Sequence, residues 1–208
     1  MKLNFKDGRA NKIHIYVDCE YRMTVDRDFI LSSGYYENQQ ITDEELAELE
    51  TAVNSRRAFN KAVDLLSRRD HASGELLTKL RQKGYAEGAQ SAIEKLAECG
   101  YIDDLRFAEN YANELQRLKG FGKRRIEQEL YKKGVSRDII SQVTDGIESD
   151  SEEIADILEK KYGRYLDTDK GVNRAINGMM RMGYGYSQIK TALEIVLERM
   201  TENAYYDE

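Results

Sequence analysis

Glu75-Leu76-Leu77-Thr78-Lys79-Leu80-Arg81-Gln82-Lys83-Gly84-Tyr85 returns fifty residues later as Arg125-Ile126-Glu127-Gln128-Glu129-Leu130-Tyr131-Lys132-Lys133-Gly134-Val135. A weaker third copy, Arg174-Ala175-Ile176-Asn177-Gly178-Met179-Met180-Arg181-Met182-Gly183-Tyr184, follows at an offset of forty-nine. Apolar positions four apart place Leu76 with Leu80, Ile126 with Leu130 and Ala175 with Met179 on one stripe of a helix. Gly84, Gly134 and Gly183 stand where a left-handed C-terminal cap is expected, and Tyr85, Val135 and Tyr184 can fold back on the helix that ends there. The register extends upstream, matching Ala58, Ala108 and Leu158, then Ala62, Ala112 and Tyr162, then Leu65, Leu115 and Tyr165. Each copy therefore holds more than one helix, and in the second a further helix starts with Ser136 as N-cap. The unit reads helix, helix, glycine turn, helix. At about fifty residues it is too small to bury much surface alone, so neighbours should stack. The expected fold is mainly α, with three tandem three-helix repeats in an elongated curved array.

Outside the repeats the pattern changes. Lys12 to Asp18 alternates with period two and Tyr21 to Val25 is β-prone, which predicts a small N-terminal β-hairpin turning around Asp18 to Glu20. Gly34 and the polar Glu37 to Gln40 break that pattern. Thr42, followed three residues later by Glu45, has the form of a capping box, so a helix should begin there and run to about Arg69. The expected divisions are 1–41 for the hairpin element, 42–100, 101–149 and 150–201 for the repeats, and 202–208 for an acidic tail ending in Asp207-Glu208. Gly100 to Asp104 and Ser149 to Ser151 read as short linkers.

Composition agrees with a helical class: of 208 residues 40% are hydrophobic and 34% charged, and there is no proline to interrupt helices. No run approaches the roughly 18 apolar residues that span a bilayer, and Met1 to Ala10 lacks the apolar core of a signal peptide. A cytoplasmic protein without a membrane partner is expected. Cys19 and Cys99 lie far apart, with no CxxC and only His14 and His71 as further soft ligands, so neither a metal nor any other cofactor is indicated. The net charge of −6 argues against indiscriminate coating of nucleic acid. Arg117 to Arg137 reverses that balance locally, with eight basic residues against Glu127 and Glu129, a net +6.

No grouping legible in the sequence has the form of a catalytic site, in which a base stands beside a nucleophile or two carboxylates share a pocket. Asp103 and Asp104, the one tempting acidic pair, point about 100° apart on a helix. They read instead as the first turn of the helix carrying Phe107, where carboxylates meet free amides and the positive end of the dipole. His71 lies between two helices beside Ser73, an N-cap candidate, and reads as structural or as a partner contact. Gly120-Phe121-Gly122 resembles a fragment of a phosphate-cradling loop, but no preceding strand and no Gly-Lys-Ser/Thr ending support one. It reads as an inter-helix turn beside a basic face that could meet DNA phosphate or acidic protein. Tyr85, Tyr101, Tyr111 and Tyr184 fall on the apolar stripe or after the glycine turns and read as core or seam residues.

Taken together, three ordered motifs resemble the RecX family of RecA regulators. Leu65-Leu66-Ser67-Arg68-Arg69-Asp70-His71-Ala72-Ser73-Gly74-Glu75-Leu76, with Lys79, Leu80 and Gly84, looks like the first signature of that family. Gly100-Tyr101-Ile102-Asp103-Asp104-Leu105-Arg106-Phe107-Ala108 looks like the second, and Gly122 with Arg125, Ile126, Glu129, Leu130 and Gly134 like the third. The match covers roughly Arg56 to Leu197. The resemblance implies tandem three-helix repeats and a non-enzymatic, monomeric regulator. Such a protein binds in the groove of RecA filaments on single-stranded DNA and modulates, in the inhibitory direction, recombinase, strand-exchange and co-protease activity. The acidic balance, with a pI of about 5.2, favours a protein-first contact over strong intrinsic DNA affinity, and single-stranded DNA is expected to bind weakly. Charge and turn position nominate Arg68, Arg69, Lys79, Lys83, Lys119, Lys123, Arg124, Arg125, Lys132 and Lys133 as the residues that meet RecA or DNA. The rival reading is a stand-alone helical DNA-binding regulator, distinguished by tight, steeply salt-dependent binding to bare DNA.

Overall fold

The computed structural model describes residues 1–206, with the side chains of 203–206 left aside. Asp207 and Glu208, the end of the expected acidic tail, lie outside the described residues. Three strands open the chain: β1 (Leu3–Asp7), β2 (Lys12–Val17) and β3 (Glu20–Asp26), paired antiparallel in the order β1-β2-β3. The expected hairpin is thus β2 and β3, and β1 adds a third strand beyond it. Asp18 and Cys19 turn the hairpin with φ of 48° and 68°, the left-handed pair that suits the twist of two-residue turns. A short helix that the sequence reading also missed, α1 (Arg27–Ser33), follows β3 and ends on Gly34 at φ 80°.

Nine further helices are described: α2 (Asp43–Leu66), α3 (Ser73–Gln82), α4 (Ala86–Glu98), α5 (Asp104–Lys119), α6 (Lys123–Lys132), α7 (Arg137–Thr144), α8 (Ser151–Tyr162), α9 (Asp169–Arg181) and α10 (Tyr186–Tyr206). A 3-10 turn, Gly163–Tyr165, follows α8. The order helix, helix, glycine turn, helix recurs three times, as α2 to α4, α5 to α7 and α8 to α10. In each triplet the first helix packs on the third. The capping box at Thr42 forms in both directions, Glu45 N–H donating to the Thr42 hydroxyl and Thr42 N–H to the Glu45 carboxylate. Helix α2 ends at Leu66, three residues short of the expected Arg69. Helix α10 runs through residues 202–206, where a tail was expected.

The three glycine turns are built alike. Gly84, Gly134 and Gly183 have φ of 84°, 77° and 98°. The residue after each returns its N–H to the helix, Tyr85 to Leu80, Val135 to Leu130 and Tyr184 to Met179, at 3.0, 3.2 and 3.3 Å. This is the bond pattern that satisfies the last free carbonyls of a helix.

By its internal contacts the chain divides into two compact units, Met1–Ser67 with Lys79–Glu98, and Arg68–Thr78 with the chain from Cys99 onward. In the first unit Leu3, Ile15 and Val17 of the sheet are buried with Ile30, Leu46, Leu49 and Val53. The N-terminal element is therefore packed on the leading half of α2. In the second unit one core gathers Ala72, Ala108, Leu115, Ile126, Leu130 and Ile140. Another gathers Ile154, Leu158, Ala175, Met179, Ile189 and Val196. The stripe pairs of all three copies are buried, while Tyr162 and Tyr165, which replace Ala and Leu in the third copy, are only half-buried.

Candidate functional site

The motif around His71 folds into an ion-pair centre within the second unit. Glu75, in the first turn of α3, accepts from Arg69 at 2.6 and 3.2 Å, from His71 Nδ1 at 3.1 Å and from Lys133 at 3.2 Å. Its side chain is 13% exposed and that of His71 only 2%. Burial alone would raise the Glu75 carboxyl, but the hydrogen bonds from Arg69, His71 and Lys133 outweigh it and hold the group at about 2. His71 is thus a structural residue of this centre. Ser73 differs from its reading as an N-cap: it is the first residue of α3, and both its N–H and its hydroxyl donate to Asp104. Asp103 takes the part expected at the start of α5, accepting from Arg106 N–H at 2.9 Å.

Beside this centre a cleft of about 480 Å³ opens over Phe107 and Tyr111, with Arg69, Asp70, Asn110 and Lys133 around it. The two rings stack at 5.7 Å, and the Lys133 ammonium stands 5.5 Å from the Tyr111 ring. Burial, followed by the charges of Glu129, Glu114 and Glu75, raises the Tyr111 phenol, so it remains protonated. An aromatic floor with charges of both signs at its rim can receive a partner's side chain. Tyr111 thus lines a cleft rather than a sealed core. Tyr184 is buried as expected, donating to the Gly120 carbonyl at 2.9 Å, whereas Tyr101 is 64% exposed and belongs to no core.

The basic cluster is partly neutralised. Lys123 pairs with Asp145 at 3.3 Å, and Arg125 and Lys132 converge on Glu129 at 2.8 and 3.0 Å. Those bonds, Lys132 first, hold the Glu129 carboxyl below its ordinary range. Arg125 also covers the Phe121 ring at 5.3 Å. Gly120 and Gly122 are the C-cap of α5 and the N-cap of α6, the inter-helix turn that was expected. Lys119 and Arg124 are exposed and make no ion pair among the described residues. Arg68 is exposed in the second unit, whereas Lys79 and Lys83 belong to the first unit, Lys83 exposed and Lys79 half-buried. The nominated cations are thus divided between the two units. Sequence reading passed over another group: Arg164, Lys170, Arg174 and Arg181 in the third triplet are all exposed. The spacing of Lys170 and Arg174 with no acid four residues away was the available signal.

A family model described as the first three-helix domain of RecX matches residues 58–101, and one described as the second matches residues 103–143. A regulatory protein RecX from Caldanaerobacter subterraneus subsp. tengcongensis is 32% identical over 170 residues, which cover 79% of this chain and 85% of the relative. One from Clostridium perfringens is 28% identical over 205 residues, 95% and 94% of the two chains. A crystal structure of a regulatory protein RecX shares the fold with a TM-score of 0.68 at 18% identity, covering 93% of this chain and 98% of that one. RecX from Lactobacillus salivarius does so with a TM-score of 0.59 at 24% identity, covering 70% and 97%. With both three-helix domains matched in order and nearly a third of the residues shared with a relative over most of its length, the chain belongs to the RecX family of regulatory proteins.

Proposed function

We propose that this protein is a non-catalytic, monomeric, cytoplasmic regulator that binds RecA filaments and lowers their recombinase, strand-exchange and co-protease activity. The partner comes from the resemblance of its three motifs to the RecX family of RecA regulators. The observation that carries the reading is membership in a family of regulatory proteins, established over 85% of a relative at 32% identity. The chemistry of the surface agrees with it. Arg69, Lys133, Arg125 and Lys132 are tied to Glu75 and Glu129, an arrangement that fixes geometry and suits recognition better than proton transfer. In this reading the triplets at 42–100, 101–149 and 150–201 are successive gripping units. The exposed cations Arg68, Lys83, Lys119 and Arg124 meet acidic filament surface, while Arg69, Arg125, Lys132 and Lys133 fix the helices of the second unit.

The test is titration of the protein into RecA assembled on single-stranded DNA, following DNA-dependent ATP hydrolysis and co-sedimentation. The expected result is retention with the filament and a fall in hydrolysis as the protein is added. Unchanged hydrolysis together with failure to co-sediment would overturn the proposal.

A further inference from the structure

On α9 the charges are arranged differently from those on α6. At about 100° per residue, Lys170, Arg174 and Arg181 share an arc of roughly 40°, and they span about 16 Å along the axis. All three are exposed, and none makes an ion pair among the described residues. A fourth cation, Arg164, stands 5.1 Å from one ring, Tyr165, and Arg174 stands 5.0 Å from the same ring. Adjoining the cationic row is a neutral one formed by Asn173, Asn177 and Met180, also exposed, with Met180 at 48%. The carboxylates of this segment lie off the cationic row. Asp167 precedes the helix, and Asp169 opens it about 100° away from Lys170.

We infer that this face of α9 binds the phosphodiester backbone of single-stranded nucleic acid. Exposed guanidinium groups suit phosphate oxygens, which they can hold through two parallel hydrogen bonds. The two-row layout favours a single strand. Phosphates lie along Lys170, Arg174 and Arg181, and unpaired bases turn toward Asn173, Asn177 and Met180, which offer amide hydrogen bonds and an apolar surface. A helix lodged in a duplex groove would instead carry cations on both flanks and base-reading groups between them. A protein-binding face would be centred on apolar anchors, and here the one large apolar side chain sits at the edge. The inference goes beyond filament binding and does not depend on it, because the face engages bare strands.

The test uses the full chain and a labelled twenty-nucleotide oligo(dT), read by fluorescence anisotropy at low salt and again as salt is raised. Replacing Arg174→Glu and Arg181→Glu together should weaken binding at least tenfold and make the salt slope shallower by roughly 0.7 per lost phosphate contact. The pair Lys170→Gln and Arg181→Gln leaves the Tyr165 contacts in place and should weaken binding severalfold with unchanged helicity. Absence of binding by the wild-type chain, or affinity unaltered in both variants, would overturn the inference. Equal retention of a duplex of the same length through the same residues would overturn its single-strand part. Loss of RecA co-sedimentation without loss of oligo(dT) binding would assign the face to an acidic protein surface and overturn it as well. If the wild-type chain fails to bind RecA but the variants still lose oligo(dT), filament binding fails and this inference stands.

Discussion

The backbone of Gly134 lies so close to Gly74 that a Cβ on Gly74 would stand 2.5 Å from the Gly134 carbonyl oxygen and 2.8 Å from its α-carbon. The turn ending α6 is thus seated on the start of α3. The next turn repeats the arrangement, since a Cβ on Gly122, at the start of α6, would stand 2.9 Å from the Gly183 carbonyl. At the start of α9 the corresponding space is taken by the chain itself, with the Tyr165 carbonyl 1.6 Å from where a Cβ on Gly171 would be.

Because backbone atoms cannot move aside as a flexible side chain would, Gly74→Ala should force the turn off the helix. Overpacking of this kind costs about 1 to 3 kcal/mol, and a fall in Tm of roughly 2 to 10 °C is expected for a chain of this length. Gly146→Ala is the control, since a Cβ there meets nothing within 4 Å. Differential scanning calorimetry of the two variants checks the point, and equal melting temperatures would contradict it.

Glu75 gives stability a pH dependence of definite sign. Its carboxyl is held at about 2, against an ordinary 4.5, so the folded chain binds this proton less tightly than the unfolded chain does. The contribution is complete above the unfolded value and disappears as pH falls from about 4.5 through about 2. Glu75→Gln should therefore destabilise by roughly 2 to 3 kcal/mol at pH 7, and the gap from wild type should close toward pH 2. Urea denaturation at pH 7, 4.5 and 3 measures it, and a gap constant over that range would assign the effect to packing instead.

Arg124 and Arg125 are neighbours with opposite expected roles. Arg124→Glu alters an exposed residue with no ion pair among those described, so Tm should hold while retention on RecA filaments falls by roughly three- to fivefold, the equivalent of about 1 kcal/mol. Arg125→Glu sets a carboxylate one helical turn from Glu129 and removes the guanidinium from the Phe121 ring. It should lower stability by about 1 kcal/mol. Thermal melts with parallel co-sedimentation separate the two effects. A stable Arg125→Glu or an unfolded Arg124→Glu would reverse the assignment.

Much of the fold was legible because it is written in local rules. The stripe pairs, the glycine turns and the capping box at Thr42 each need only neighbours within one or two helical turns, and all appear where expected. β1 was missed because Leu3-Asn4-Phe5-Lys6 alternates over only four residues, too short a run to stand out, and is held by its pairing with β2, Leu3 facing Val17 and Asp7 facing Ile13. The site was less legible for the same reason. Lys133 meets Glu75 across 58 residues, so counting charge from Arg117 to Arg137 overstated what is open on the surface. The α9 cations went unnoticed because the segment holding them is not rich in charge; only their common face sets them apart.

Asp103 and Asp104 carry the last prediction, since adjacent carboxylates serve different helices. Asp103 caps its own helix through Arg106 N–H, whereas Asp104 accepts from the N–H of Ser73 at 2.7 Å and so caps α3 from 31 residues away. Either alanine substitution should cost about 1 to 2 kcal/mol, the usual worth of an N-terminal cap. What separates them is the place where the helix loosens. Hydrogen exchange followed by mass spectrometry should show faster exchange at the start of α5 in Asp103→Ala. In Asp104→Ala it should show faster exchange across Ser73, Gly74 and Glu75, because the Ser73 amide has lost its acceptor while α5 keeps Asp103. If Asp104→Ala loosened only α5, the contact with Ser73 would be incidental to α3, and the position of Arg69 and His71 around Glu75 would have to be set by the α6 turn alone.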